Sequence, residues 1–142
     1  MNQHSQHPRI SWQKHLPKNE VEKFVGSFHY AFQGLGYAIR TQRNIRVHIS
    51  IAIVVIILGL FFRISSLEFA ILFIAITGVF ISEMFNTVLE LCVDLASPTY
   101  HPLAKIAKDV AAGAVLANAI LAILIGLCIL GPHLWTLLSS LR

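Results

Sequence analysis

At 142 residues the chain has room for one domain, and 56% of it is hydrophobic against 13% charged. From Val47 onward the charges fall in short clusters between long apolar runs, a pattern that argues for lipid as solvent and against a soluble domain of this size. The net charge of +4 lies mostly before Val47, and without a basic stripe interleaved with aromatics it suits a cytoplasmic membrane surface better than nucleic acid.

Residues 1–17 read as a polar tail, with nothing like a cleavable signal peptide in Met1 to His15. A helix is predicted from Asn19, with Glu22 completing a capping-box-like pair. Val21, Phe24, Val25, Phe28, Phe32 and Leu35 form one apolar stripe. Residues 18–46 are therefore expected to form an amphipathic helical region lying along the headgroups. Gly34 and Gly36 are expected to loosen it before the basic segment Arg40 to Arg46.

Residues 47–132 read as a core of three membrane spans, at about 47–63, 67–93 and 102–130, with residues 133–142 as a short C-terminal end. The first span, Val47 to Phe62, lacks Asp, Glu, Lys and Arg. It is short, roughly 24 Å, so Arg46 and Arg63 are expected to snorkel. Pro102 suits the first turn of the third helix, and Gly131-Pro132 is expected to end it. Cys92 and Cys128 lie in apolar runs and read as packing residues. Arg40, Arg43, Arg46, Lys105 and Lys108 outnumber Arg63 and Arg142, so the N-terminus and second loop are expected in the cytoplasm.

The last third of span two carries Glu83, Asn86, Glu90 and Asp94 at i, i+3, i+7 and i+11. On a helix these fall within about 80° of one face. Acids inside a membrane are costly unless they meet partners or water. Interhelical bonding or an ion path is the plain reading of one such carboxylate. Four groups opposite Lys108-Asp109 point instead to a phosphate-borne divalent cation, which takes hard oxygen ligands, and to a general base for a hydroxyl. No GxxxxGK[ST] phosphate loop is present, and Gly34-Leu35-Gly36 lacks the strand-turn-helix context of one.

ISEMFNTVLELCVDL at Ile81 to Leu95 and HPLAKIAKDVAAGAVL at His101 to Leu116 resemble the prokaryotic diacylglycerol kinase family, which includes the undecaprenol kinases. The resemblance extends back through FHYAFQGLGYAIRTQRNIRVH, Phe28 to His48. Its specific elements are E-x-x-N-T-x-x-E-x-x-x-D and A-K-D-x-A-A-G-A-V. It implies an all-α homotrimer with three membrane helices and an amphipathic N-terminal helix per subunit. The active sites would lie between subunits at the cytoplasmic face of a bacterial plasma membrane.

The resemblance makes Glu83 the catalytic base, with Asn86 orienting the site, and Glu90 a ligand of the Mg²⁺ that accompanies ATP. Lys108 and Asp109 match nucleotide-contacting positions, with Lys108 near the phosphates. Tyr30 matches a residue packing on the nucleotide, Lys23 a basic position that touches it, and Thr99, Tyr100 and His101 the loop beside the adenine. Asp94 continues the acidic face. One position departs from the family pattern. Where the family commonly has a metal-binding Glu before the R-N pair, this chain has Gln42, whose carbonyl can contact a cation without supplying charge.

The implied activity is transfer of the γ-phosphate of ATP to a membrane lipid, diacylglycerol or undecaprenol. The rival is a small transporter or ion-conducting oligomer that uses the acidic face as its path. Against it, Phe69 to Phe80 holds only Thr77 as a hydrogen-bonding side chain, and Ile120 to Leu130 holds no strongly polar group. A purely structural subunit leaves the clustered acids without a purpose. On the third span, Gly113 with Ala117 and Ala122 with Gly126 have the spacing of close helix contacts, and Asn118 reads as an interhelical hydrogen-bond partner.

Overall fold

The computed structural model describes residues 19–141; the expected polar tail, residues 1–17, lies outside them, as do Lys18 and Arg142. The described chain is all-helical: α1 (Glu20–Thr41), α2 (Arg43–Phe62), α3 (Ser66–Ala96) and α4 (Pro102–Ser140). Two compact units divide at Gly36 and Tyr37.

In the first unit, Asn19 caps α1 as expected, its Oδ1 accepting the Glu22 backbone N–H at 2.8 Å. Val21, Phe24, Phe28 and Phe32 are all exposed, and Phe24 meets Phe28 edge-on at 5.1 Å between centroids. The helix runs through Gly34 and Gly36 to Thr41, and the two units divide at the second of these glycines. A glycine costs a helix about 1 kcal/mol, which the surrounding hydrogen-bond ladder can absorb.

In the second unit, α2, α3 and α4 are each long and apolar enough to cross a membrane. The break between α1 and α2 falls at Gln42, which has extended backbone angles (φ −94°, ψ 116°) and does not cap α2 with its side chain. The helix begins at Arg43, four residues before the first apolar residue of the expected span. Twenty residues give it about 30 Å, of which Val47 to Phe62 is the stretch without Asp, Glu, Lys or Arg. The Arg46 guanidinium turns back to the carbonyls of Ile39 and Arg40.

α2 ends in a Schellman turn. Arg63 takes the left-handed conformation (φ 52°) and donates to the Leu60 carbonyl, and Ile64 N–H donates to Gly59 O at 3.2 Å. Ile64 is buried against Gly59, where a Cβ would lie 3.0 Å from Ile64 and from the Phe69 ring. That close approach explains the glycine. Ser65 and Glu68 then form a reciprocal capping box that starts α3.

Contacts along the α3–α4 seam run in opposite order on the two helices: Asp94 to Lys108, Ser82 to Asn118, Glu68 to His133. The helices are therefore antiparallel. Asn118 Nδ2 donates to Ser82 Oγ at 3.4 Å, as expected of an interhelical partner, and lies where a Gly78 Cβ would be 3.3 Å away. α4 corrects the sequence expectation at its far end. It passes through Gly131-Pro132 and continues to Ser140. Proline removes one backbone donor, but helices in lipid tolerate it when neighbouring groups re-satisfy the ladder. The His133 ring, next to the proline, stacks on Phe62 at 5.9 Å and lies 3.6 Å from Glu68.

Candidate active site

The polar half of α3 turns inward. Glu83 is 2% exposed, and Asn86 and Thr87 are also buried. The expected single face holds Glu83, Asn86 and Glu90: Glu83 meets His48 of α2, Glu90 meets Gln42 just before α2, and Asn86 bonds Glu90. Asp94, one turn further, is exposed and turns to α4.

Glu90 is the hub of the outer part. Its Oε1 accepts from Asn86 Nδ2 at 3.1 Å and its Oε2 from Gln42 Nε2 at 3.4 Å. Gln42 reaches Glu90 because the break before α2 frees its side chain from capping duty. Two amides and one carboxylate therefore converge across α2 and α3. Among the described residues, no three His, Cys, Asp or Glu side chains are placed to hold a metal by themselves. The donors present are hard oxygens, and Asn86 Oδ1 is buried with no hydrogen-bond donor. A Mg²⁺ ion held largely by phosphates and water needs only one or two protein carboxylates, so this set fits it.

Two turns deeper, Glu83 faces His48 of α2. The imidazole Nε2 lies 3.2 Å from Glu83 Oε1. The approach is not aligned as a hydrogen bond, and Glu83 Oε1 remains a buried acceptor without a donor. Such an orphan costs about 1–3 kcal/mol in a folded protein. The side chain that does bond here is Thr87, whose hydroxyl donates to the Glu83 backbone carbonyl at 2.9 Å. A hydroxyl arriving from outside would satisfy Glu83 Oε1.

His48 was not among the residues expected at the site. The first span was judged by its lack of Asp, Glu, Lys and Arg, a count blind to histidine. Its spacing was informative: His48 stands one helical turn from Ile45, the most deeply buried residue of α2.

The remaining expected residues sit as follows. Lys108 Nζ pairs with Asp94 Oδ1 at 2.5 Å, and Lys105 with Asp109 at 2.5 Å. Both pairs gather where α3 ends and α4 begins. Thr99 and Tyr100 are exposed in the connecting loop. His101 caps α4, its Nδ1 accepting the Leu103 N–H at 3.2 Å. Lys23 and Tyr30 belong to the first unit. There Lys23 bonds Glu20 at 2.7 Å, and Tyr30 lies edge-on to His29.

The sequence model of the prokaryotic diacylglycerol kinase family matches residues 29–130, which include α2, α3 and most of α4. The chain belongs to the prokaryotic diacylglycerol kinase family. An undecaprenol kinase of Bacillus subtilis is 43% identical over 117 residues, covering 82% of this chain and 95% of that protein. A diacylglycerol kinase of Synechocystis sp. is 45% identical over 113 residues, 79% of this chain and 65% of that protein. As a member of the prokaryotic diacylglycerol kinase family, the chain is a lipid kinase, and the matched region contains Gln42, His48, Glu83, Asn86, Glu90, Lys108 and Asp109.

Proposed function

We propose that this lipid kinase transfers the γ-phosphate of MgATP to the primary hydroxyl of diacylglycerol or undecaprenol, with Glu83 as the general base. The observation that carries this reading is the buried, donor-less Oε1 of Glu83. A lipid hydroxyl donates there, its proton passes to the carboxylate as its oxygen attacks the γ-phosphorus, and ADP leaves. Both candidate lipids present a primary hydroxyl, so the base serves either.

Glu90, Asn86 and Gln42 are the residues that would hold Mg²⁺, which when bound neutralises charge on the phosphates. Lys108 adds positive charge there as phosphate oxygens compete with Asp94 for its ammonium. Such preorganised charge is the main lever in phosphoryl transfer. Asp109 keeps Lys105 at the same rim. Thr99, Tyr100 and His101 form the adenine-side loop, and Lys23 and Tyr30 are nucleotide-contacting positions by the family resemblance alone.

The enzyme works as a homotrimer in the bacterial plasma membrane, with the N-terminus and the α3–α4 loop in the cytoplasm. Support for self-association comes from α4, where a Cβ at Gly113 or Gly126 would meet nothing within 4 Å, leaving close approach open to a second helix. Support for the orientation comes from the basic residues clustered beside that loop and before α2.

The test is Glu83→Gln in purified protein, with labelled ATP and, in separate reactions, diacylglycerol and undecaprenol. Turnover falls by about 10²–10⁴, the usual loss with a general base, while ATP binding survives. Near-normal turnover in the variant removes Glu83 from that role, and the preferred lipid in the wild type names the acceptor.

A further inference from the structure

A base that takes a proton at each turnover must give it back. Glu83 is poorly placed to do so alone, since its side chain is 2% exposed and sits between apolar helices. Among the described residues the titratable group paired with it is His48, whose side chain is 25% exposed and whose Nε2 lies 3.2 Å from Glu83 Oε1. His48 stands about half a turn from Arg46 and under two turns from Gln42, at the polar end of α2. Its quarter-exposed ring lies beside the sealed carboxylate.

The acids and most of the cations of this end are engaged elsewhere, and Arg43 and Arg40 are exposed. On α3, Glu90 bonds Asn86 and Gln42, and Asp94 pairs with Lys108. On α4, Lys105 pairs with Asp109. On α2, Arg46 bonds the carbonyls of Ile39 and Arg40. None of them reaches Glu83.

We propose that His48 is the proton relay that resets Glu83 after each phosphoryl transfer. The inference rests on Glu83 being the base. The lipid O–H bond breaks as the Glu83 O–H bond forms, while the lipid oxygen bonds the γ-phosphorus and ADP departs. The Glu83 proton then moves to Nε2 of neutral His48, giving an imidazolium and restoring the carboxylate. The imidazolium releases one ring proton to water, and exchange with water re-forms the tautomer with Nε2 bare. His48 thus acts through Glu83 and does not touch the lipid or the nucleotide.

The experiment measures kcat and both KM values for His48→Ala and His48→Gln beside Glu83→Gln. In His48→Ala, kcat falls roughly 10²-fold, the lower end for a positioned proton-transfer group. Both KM values stay put, and added imidazole restores turnover through the vacated space. His48→Gln keeps volume and a donor near Glu83 but cannot carry a proton, so it is equally slow. Full activity in either variant overturns the relay. So does a loss of turnover with raised KM values and no response to imidazole, which marks a structural residue. If His48→Ala does not fold, the decision rests on His48→Gln. An active Glu83→Gln would mean that the base reading itself has failed. An inactive Glu83→Gln beside fully active His48 variants sinks the relay alone.

Discussion

Gln42→Glu tests the metal end of the site, and its size follows from one distance. Gln42 Nε2 donates to Glu90 Oε2 at 3.4 Å. A glutamate in the same place sets two carboxylates against each other at that separation. At an effective dielectric of about 20, their repulsion is about 5 kcal/mol. The pair escapes by taking up a proton or by sharing a cation. Mg²⁺ then gains a second charged ligand, and its binding also relieves the repulsion. Each 1.4 kcal/mol so recovered is worth about tenfold in affinity. Recovering even a third of the repulsion lowers the half-saturating Mg²⁺ concentration by about tenfold. The assay is a Mg²⁺ titration of turnover at saturating lipid and fixed ATP, with thermal unfolding measured at low and high Mg²⁺. The variant is less stable than wild type at low Mg²⁺ and regains stability as the ion is added. An unchanged titration curve, with folding and oligomeric state intact, refutes the placement of Gln42 at the metal.

Glu90→Gln acts in the opposite direction. It removes the charge between Asn86 and Gln42, weakens MgATP binding, and is partly rescued by excess Mg²⁺; unaltered Mg²⁺ and ATP dependence would make Glu90 structural. Asn118→Ala breaks the bond to Ser82, and at 3.4 Å the loss is near the membrane average of about 0.6 kcal/mol. Unfolding in detergent reads it, and turnover of the surviving fold stays close to wild type.

The membrane helices were legible because lipid forbids scattered charge, so their apolar runs stand out without periodicity. Their ends were less so. Arg43, Asn44 and Arg46 are polar, yet they extend α2 because helix propagation adds a hydrogen bond per residue whether or not the residue meets lipid. Gly34 and Gly36 in α1, and Pro132 in α4, are breakers on average whose cost the flanking turns absorb. The acidic face of α3 was readable from spacing, since a helix fixes which side chains share a side. Which neighbour each would meet was not. Asp94 points to Lys108 and Glu83 to His48 because of how α2 and α4 pack on α3, and one helix's period carries no information about another's rotation.

The unmatched lengths of the helices have a consequence of their own. α2, at about 30 Å, equals the hydrocarbon thickness of a typical bilayer, whereas the 39 residues of α4 reach about 58 Å and must project beyond it. The shortest helix is therefore the gauge of depth, and His48 stands about 8 Å along it from Arg43. On the reading given above, an acceptor meets Glu83 at the edge of the apolar run that begins at Val47, so an alcohol that carries nothing on its oxygen can reach it. The product cannot stay there. Once phosphorylated, that oxygen carries an anionic phosphoryl group beside a buried carboxylate, and the same site that admits the substrate expels what it becomes.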